Sequence, residues 1–284
     1  MSEGHVGEMS GRVCVVTGAS GGIGKAAAKE LARRGATVAL VVRNRERGEA
    51  ARAEIERDTG NRDARIVLAD LSRQAEVRRA AGELRAAFPR IDVLLNNAAV
   101  YTARRRLSDD GIELQWAVNH LAPFLLTRLL LPRVVESAPA RVVTVSSNAH
   151  LGADLRWSDL EMRNRRYRGF RQYSNTKRAN VLFTRELARR TAGTGVTANA
   201  LHPGVVATDL LLNGFPPIRL FRRWMRTPEQ GAATAVHLAA SPDVTAVSGE
   251  FFVDERPVTL PPEARDDEAS HRLWEISERM VGMG

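Results

Sequence analysis

From residue 13 onward the chain alternates short apolar runs with amphipathic stretches whose apolar positions recur every three to four residues. Residues 13–17, 37–42, 64–68 and 93–95 read as strands, and 27–34, 46–57 and 74–88 as the helices between them. The order is β-α-β-α-β-α-β, which predicts a parallel sheet with helices on both faces. The alternation continues with a long helix around 111–131, a strand at 141–145, a helix at 173–190, a strand at 197–201 and a last strand at 248–254. Thr227-Pro228-Glu229-Gln230 has the form of a capping box with proline at the first helical position, and so opens a further helix. The expected architecture is one α/β domain over 11–258, a doubly wound parallel sheet. A flexible tail at 1–10 precedes it, and 259–284 follow as a loop and a short helix.

Composition narrows the class. With 284 residues, 44% of them hydrophobic, the chain can bury one sizeable core. It has no run of about 18 apolar residues. Its first ten residues are polar, with Glu3 and Glu8, and fit neither a secretory signal nor a spanning helix. A soluble, cytoplasmic protein is expected. The single Cys14, within Val13-Cys14-Val15-Val16, excludes an internal disulfide framework and reads as a buried, inert thiol. The six histidines lack ligand spacing, so no metal site is expected.

Two local patterns carry chemistry. The first strand runs into Thr17-Gly-Ala-Ser-Gly-Gly-Ile-Gly24, with Gly18, Ser20, Gly22, Ile23 and Gly24 in the turn that opens a helix. Small residues there let backbone N–H groups approach a pyrophosphate at a helix N-terminus. After the second strand, where a carboxylate would bind a ribose 2′-hydroxyl, stand Arg43 and Asn44. A guanidinium suits a 2′-phosphate, so NADP(H) is preferred over NAD(H). The second pattern is Tyr173-Ser-Asn-Thr-Lys177, a phenol and an ammonium at i and i+4 on one helix face. A cation beside a phenol lowers its pKa and equips the pair to exchange a proton with substrate. Lysine is scarce here, only Lys25, Lys29 and Lys177 among 42 basic residues. That scarcity suggests position 177 needs a compact ammonium.

From Gly11 to Asp254 these residues resemble the short-chain dehydrogenases/reductases of the compact, single-domain Rossmann type. The family's glycine turn matches Thr17–Gly24, its acidic residue after the third strand Asp70, and its Asn-Asn-Ala-Gly segment Asn96-Asn97-Ala98-Ala99, with alanine for the last glycine. The resemblance implies that Asp70 and Leu71 meet the adenine and that Asn97 and Ala98 border its ribose. It implies a catalytic set of Asn119, Ser147, Tyr173 and Lys177. In that set Tyr173 is the general acid for carbonyl reduction and the general base for alcohol oxidation. Lys177 lowers its pKa and holds the nicotinamide ribose, Ser147 donates to the carbonyl oxygen, and Asn119 holds a water that links Lys177 to solvent. Val206 and Thr208, in Pro203-Gly-Val-Val-Ala-Thr208, would meet the nicotinamide carboxamide. Val118–Thr127 and 173–187 look most like the retinol dehydrogenase and WW-domain oxidoreductase branch, although Ala122-Pro123 replaces that branch's Gly-His. The resemblance therefore implies an NADP(H)-dependent oxidoreductase interconverting an alcohol and a carbonyl on a fairly large apolar substrate, paired into homodimers or homotetramers through the helices beginning near Gly111 and Tyr173. A non-catalytic sensor or scaffold keeping only the dinucleotide fold is the alternative; it would be expected to have lost part of the catalytic set, which is intact here.

The formal charge of +9 adds a partner question. Arginines gather at 104–106, 163–171 and 219–226, in connections at the carboxyl ends of the strands where open α/β sheets bind ligands. They would ring the substrate mouth and attract an anionic substrate, a carrier-tethered acyl chain or an anionic membrane. The segment at about 209–226, with Phe215, Phe221 and Trp224, is expected to be a substrate lid, with peripheral membrane contact as its alternative. Few aromatics stand beside the arginines, which argues against nucleic acid.

Overall fold

The computed structural model describes residues 7–208, 210 and 225–284. Its strands are β1 (Val13–Thr17), β2 (Thr37–Val42), β3 (Ala64–Leu68), β4 (Val93–Asn96), β5 (Ala140–Val145), β6 (Val196–His202), β7 (Phe251–Val253) and β8 (Arg256–Pro257). They form one sheet in the order β3-β2-β1-β4-β5-β6-β7-β8, parallel throughout except for the antiparallel β7–β8 pair. The central strands β1 and β4 are buried along their whole length, whereas edge strand β3 leaves Arg65 exposed. The order reverses between β1 and β4, and at such a switch point the loops splay and leave a crevice at the carboxyl ends of the strands.

Helices α1 (Gly22–Arg33), α2 (Arg45–Thr59) and α7 (Pro228–Ala240) cover one face, while α3 (Gln74–Ala87), α5 (Ala122–Glu136) and α6 (Gly169–Arg190) cover the other. Each face has its own core. The first joins Ala27, Leu31, Val16, Leu40, Ala235 and Leu238, where alanines let α1 and α7 lie close to the strands. The second joins Val15, Leu94, Leu84, Phe124, Phe183 and Trp274. Burying each such large side chain contributes about 1.5–3 kcal/mol. The expected capping box is present: Thr227 Oγ1 accepts from Gln230 N at 3.3 Å and Gln230 Oε1 from Thr227 N at 2.9 Å. Cys14 is fully buried, and burial raises its thiol pKa.

The structure departs from the expected elements in three places. The helix read at 111–131 is a short α4 (Leu114–Trp116), a π-turn at Ala117–Leu121 and then α5. Glu113 starts it late, because its carboxylate caps Gln115 N at 3.0 Å and Trp116 N at 2.8 Å. The last parallel strand is three residues rather than seven, and turns through Asp254 and Glu255, both at positive φ, into β8. The terminal region holds α8 (Pro262–Arg265) and the 14-residue α9 (Asp267–Met280). Among the described residues no helix is long and apolar enough to cross a membrane. The expected lid falls mostly outside the described residues.

Candidate active site

The end of β5 and the middle of α6 are stapled together at the expected catalytic positions. Lys177, 2% exposed, donates from Nζ to the Val145 carbonyl at 3.0 Å, and Ser146 Oγ donates back to the Lys177 carbonyl at 2.7 Å. Ser146 is thus buried and used, and strand alternation leaves the half-buried Ser147, whose Oγ accepts from Ala149 N at 3.2 Å. Lys177 Nζ lies 5.3 Å from the centre of the Tyr173 ring, so the i, i+4 pair does share a face. Tyr101 meets that ring edge-on at 6.3 Å and Phe170 stacks on it at 6.5 Å.

Burial pushes the Tyr173 phenol up, and it depresses the Lys177 ammonium to about 8. The expected lowering of the Tyr173 pKa is therefore not found in the protein alone. Lys177 is turned to the Val145 carbonyl, and desolvation dominates at the phenol.

Asn119 sits in the π-turn, a distortion often found at functional sites. Its Oδ1 accepts from Val100 N at 2.7 Å, and its Nδ2 donates to Val100 O at 2.9 Å and to Thr176 Oγ1 at 3.2 Å. Thr176 Oγ1 in turn donates to the Tyr173 carbonyl at 2.7 Å. With the side chain so engaged, Asn119 would have to hold a water through its backbone carbonyl. Pro123, lacking an N–H, cannot give it the usual i+4 hydrogen bond.

The first β–α turn fits a dinucleotide. Gly21 provides α1 with no side-chain cap, and the first turn holds no acidic residue, so the helix N-terminus presents its donors and dipole unopposed. A Cβ on Gly24 would stand 2.4 Å from Asn97 Nδ2 and 2.6 Å from the Gly18 carbonyl, which only glycine permits. Thr17 Oγ1 accepts from Asn97 N at 2.9 Å and Ala98 N at 3.0 Å, tying the end of β4 to the turn. From the other side Thr208 Cγ2 lies 3.0 Å from where a Gly22 Cβ would be, and Val206 and Ile23 both lie against Gly231. Gly18, Gly22, Ile23, Gly24, Asn97, Ala98, Val206 and Thr208 thus converge; Ser20 lies half-buried in the same turn.

At the end of β2 and β3 the picture is mixed. Arg43 is exposed and meets no carboxylate among the described residues. Asn44 caps α2, its Oδ1 accepting from Arg47 N at 2.8 Å. Asp70 Oδ1 accepts from Ser72 N at 2.9 Å and Ser72 Oγ at 2.7 Å, an Asx turn beside the half-buried Leu71. Sequence reading missed Arg47, whose Nη2 lies 3.2 Å from where a Gly21 Cβ would be. It brings a second guanidinium to the phosphate side of the turn, from one helical turn into α2.

Sequence reading also missed Glu113. Fully buried, it accepts from Tyr167 OH at 2.9 Å and Gln172 Nε2 at 2.9 Å besides capping α4, and so fixes the residue preceding Tyr173. Its partners are distant in sequence, and no local motif announces them.

A family model described as short chain dehydrogenase matches residues 12–215. Dehydrogenase/reductase SDR family member 13 of Bos taurus is 44% identical over 97% of this chain and 74% of its own. Retinol dehydrogenase 12 of Mus musculus is 42% identical over 97% of this chain and 88% of its own. A short chain dehydrogenase from Burkholderia cenocepacia, crystallised in complex with NADP, superposes with a TM-score of 0.71 at 28% identity, covering 86% of this chain and 96% of that one. A chain with this sheet order, this glycine turn and a Tyr–Lys pair stapled to β5 belongs to the short-chain dehydrogenases, on the branch of the retinol dehydrogenases.

Proposed function

We propose that this oxidoreductase interconverts a carbonyl and an alcohol on a fairly large apolar substrate, free or carrier-linked, using NADP(H) in preference to NAD(H). The observation that carries the reaction is the Tyr173–Lys177 pair, a half-buried phenol beside a buried ammonium on one helix face, framed by the aromatic rings of Tyr101 and Phe170. The preference for NADP(H) rests on Arg43 and Arg47, two guanidiniums near the place a 2′-phosphate would occupy, and is supported by the NADP in the related crystal structure.

A bound nicotinamide would supply or accept the hydride. The chain's own residues handle the proton: Tyr173 OH gives it to the carbonyl oxygen in reduction and takes it from the alcohol in oxidation. Ser147 Oγ donates a hydrogen bond where charge develops on that oxygen. Lys177 favours the transfer by its charge, and the Asn119 carbonyl holds the water through which the lysine is reprotonated. Tyr101 and Phe170 give the tyrosine an aromatic surround that favours an apolar substrate.

The test is a panel of aldehydes and ketones offered with NADPH and with NADH, run on the parent and on Tyr173→Phe. Loss of the hydroxyl is expected to lower kcat by about 10²–10⁴-fold. Equal turnover by the variant refutes the proton assignment, and equal kcat/KM for the two nucleotides refutes the cofactor preference.

A further inference from the structure

Two arginine-rich connections, separated in the sequence, form a single surface beside the catalytic tyrosine. Gly169, at the start of α6, lies so close to the segment after β4 that a Cβ there would stand 2.3 Å from the Thr102 carbonyl and 2.9 Å from Ala103 Cα. Gln115 Nε2 donates to the carbonyls of both Thr102, at 3.2 Å, and Gly169, at 3.1 Å. Tyr167 OH is 3.1 Å from Thr102 Oγ1, and Arg105 Nε donates to the Glu161 carbonyl at 3.3 Å. The connections at 101–107 and 161–171 are one body.

The arginines on it divide into two groups. Arg163 pairs with Glu161 at 2.8 Å, Arg165 pairs with Asp154 at 2.9 Å, and Arg105 is spent on a carbonyl. These hold the surface together and are not available to a partner, contrary to the expectation that the whole cluster would face one. Arg104, Arg106, Arg166 and Arg168 are exposed and Arg171 half-buried, and none of the five meets a carboxylate among the described residues. Between them stand large apolar side chains: Leu107 is 52% exposed and Phe170 52%. Leu151, 58% exposed, adjoins Gly152, where a Cβ would lie 3.8 Å from Ser174 Oγ of α6.

We propose that this face docks on an anionic lipid surface, with the five guanidiniums among the headgroup phosphates and Leu107, Leu151 and Phe170 in the layer beneath them. Guanidiniums bind phosphate in bidentate fashion, and basic residues interleaved with single apolar ones suit an interface that is charged outside and apolar within. A soluble acidic partner fits less well, because protein interfaces gather their apolar groups into a core with a polar rim. Here basic and apolar positions are interleaved along 166–171, Arg-Tyr-Arg-Gly-Phe-Arg, and the lone Leu107 directly follows Arg104-Arg105-Arg106. Phe170 also stacks on Tyr173, so docking would bring the catalytic mouth to the source of an apolar substrate.

The experiment measures partition of the whole chain into vesicles, independently of turnover. Vesicles of phosphatidylcholine with phosphatidylserine are expected to bind the protein, those of phosphatidylcholine alone are not, and the binding should weaken as salt rises. Each arginine removed should cost about fivefold, so the double variant Arg166→Gln/Arg168→Gln should partition about 25-fold more weakly. Phe170→Ser should weaken binding severalfold while leaving the salt dependence in place. An unchanged thermal midpoint in each variant shows that the fold is intact. Equal binding to both kinds of vesicle, unaltered partition of the double variant, or retention by an acidic carrier protein with no vesicle binding would each overturn the proposal.

Discussion

At Tyr173 burial sets a pH dependence that the Tyr–Lys spacing alone does not reveal. The phenol is pushed up and stays protonated across the working range, whereas the Lys177 ammonium, depressed to about 8, titrates within it. Because burial disfavours the charged amine, the proton leaves as pH rises through that value. Carbonyl reduction should therefore show a kcat/KM that is level below about pH 8 and falls above it. Lys177→Arg, whose guanidinium does not titrate there, should lose this limb and run at a lower, flat rate. A pH–rate profile of both proteins decides it, and a limb that persists in the variant assigns the titration elsewhere. The pairing of these residues is legible because i and i+4 lie on one face whatever surrounds them. The direction of the tyrosine shift is not, since it depends on packing by Tyr101 and on a lysine drawn to Val145, a strand residue 32 positions before it. Ser147 was legible for the same reason as the pair, because alternation along a strand is local and commits Ser146 to the buried side.

At the level of elements, the parallel strands and most helices could be read from apolar periodicity, and so could the capping box. The break in the helix at 111–131 could not. Glu113 resembles any surface carboxylate in the sequence, but in the fold it is buried and accepts four hydrogen bonds from Gln115, Trp116, Tyr167 and Gln172. Removing it leaves those largely buried donors without their acceptor. Glu113→Ala should lower the unfolding free energy by about 3 kcal/mol, read as a shift of the urea midpoint. Loss of less than about 1 kcal/mol would mean that water replaces the carboxylate. β8 also escaped notice, since two residues carry no period, and Arg47 did so because its nearness to Gly21 exists only once α2 has packed.

On the scale of the whole molecule, α9 changes what α5 and α6 can offer a second subunit. Trp274 packs on Phe124 at 5.0 Å and Phe183 at 5.9 Å, with the Arg190 guanidinium 4.4 Å from its ring centre. Ser277 meets the buried His120 at 2.8 Å, Glu278 pairs with Arg128 at 2.8 Å, and Arg189 with Asp267 at 2.9 Å. These contacts cover α5 and α6, the helices through which subunit pairing was expected. The protein should sediment as a monomer, and a dimer at micromolar concentration would show that pairing uses another face. Trp274→Ala should cost about 3–5 kcal/mol in urea unfolding. The sequence hinted at a terminal helix but not at its seat, which is made by residues some 90 to 150 positions earlier.

A chain whose own last helix takes the seat expected for a sister chain should act alone. Specific activity should be the same in a dilute extract as in a concentrated one, and a defective copy made in the same cell would have no means of poisoning a sound one.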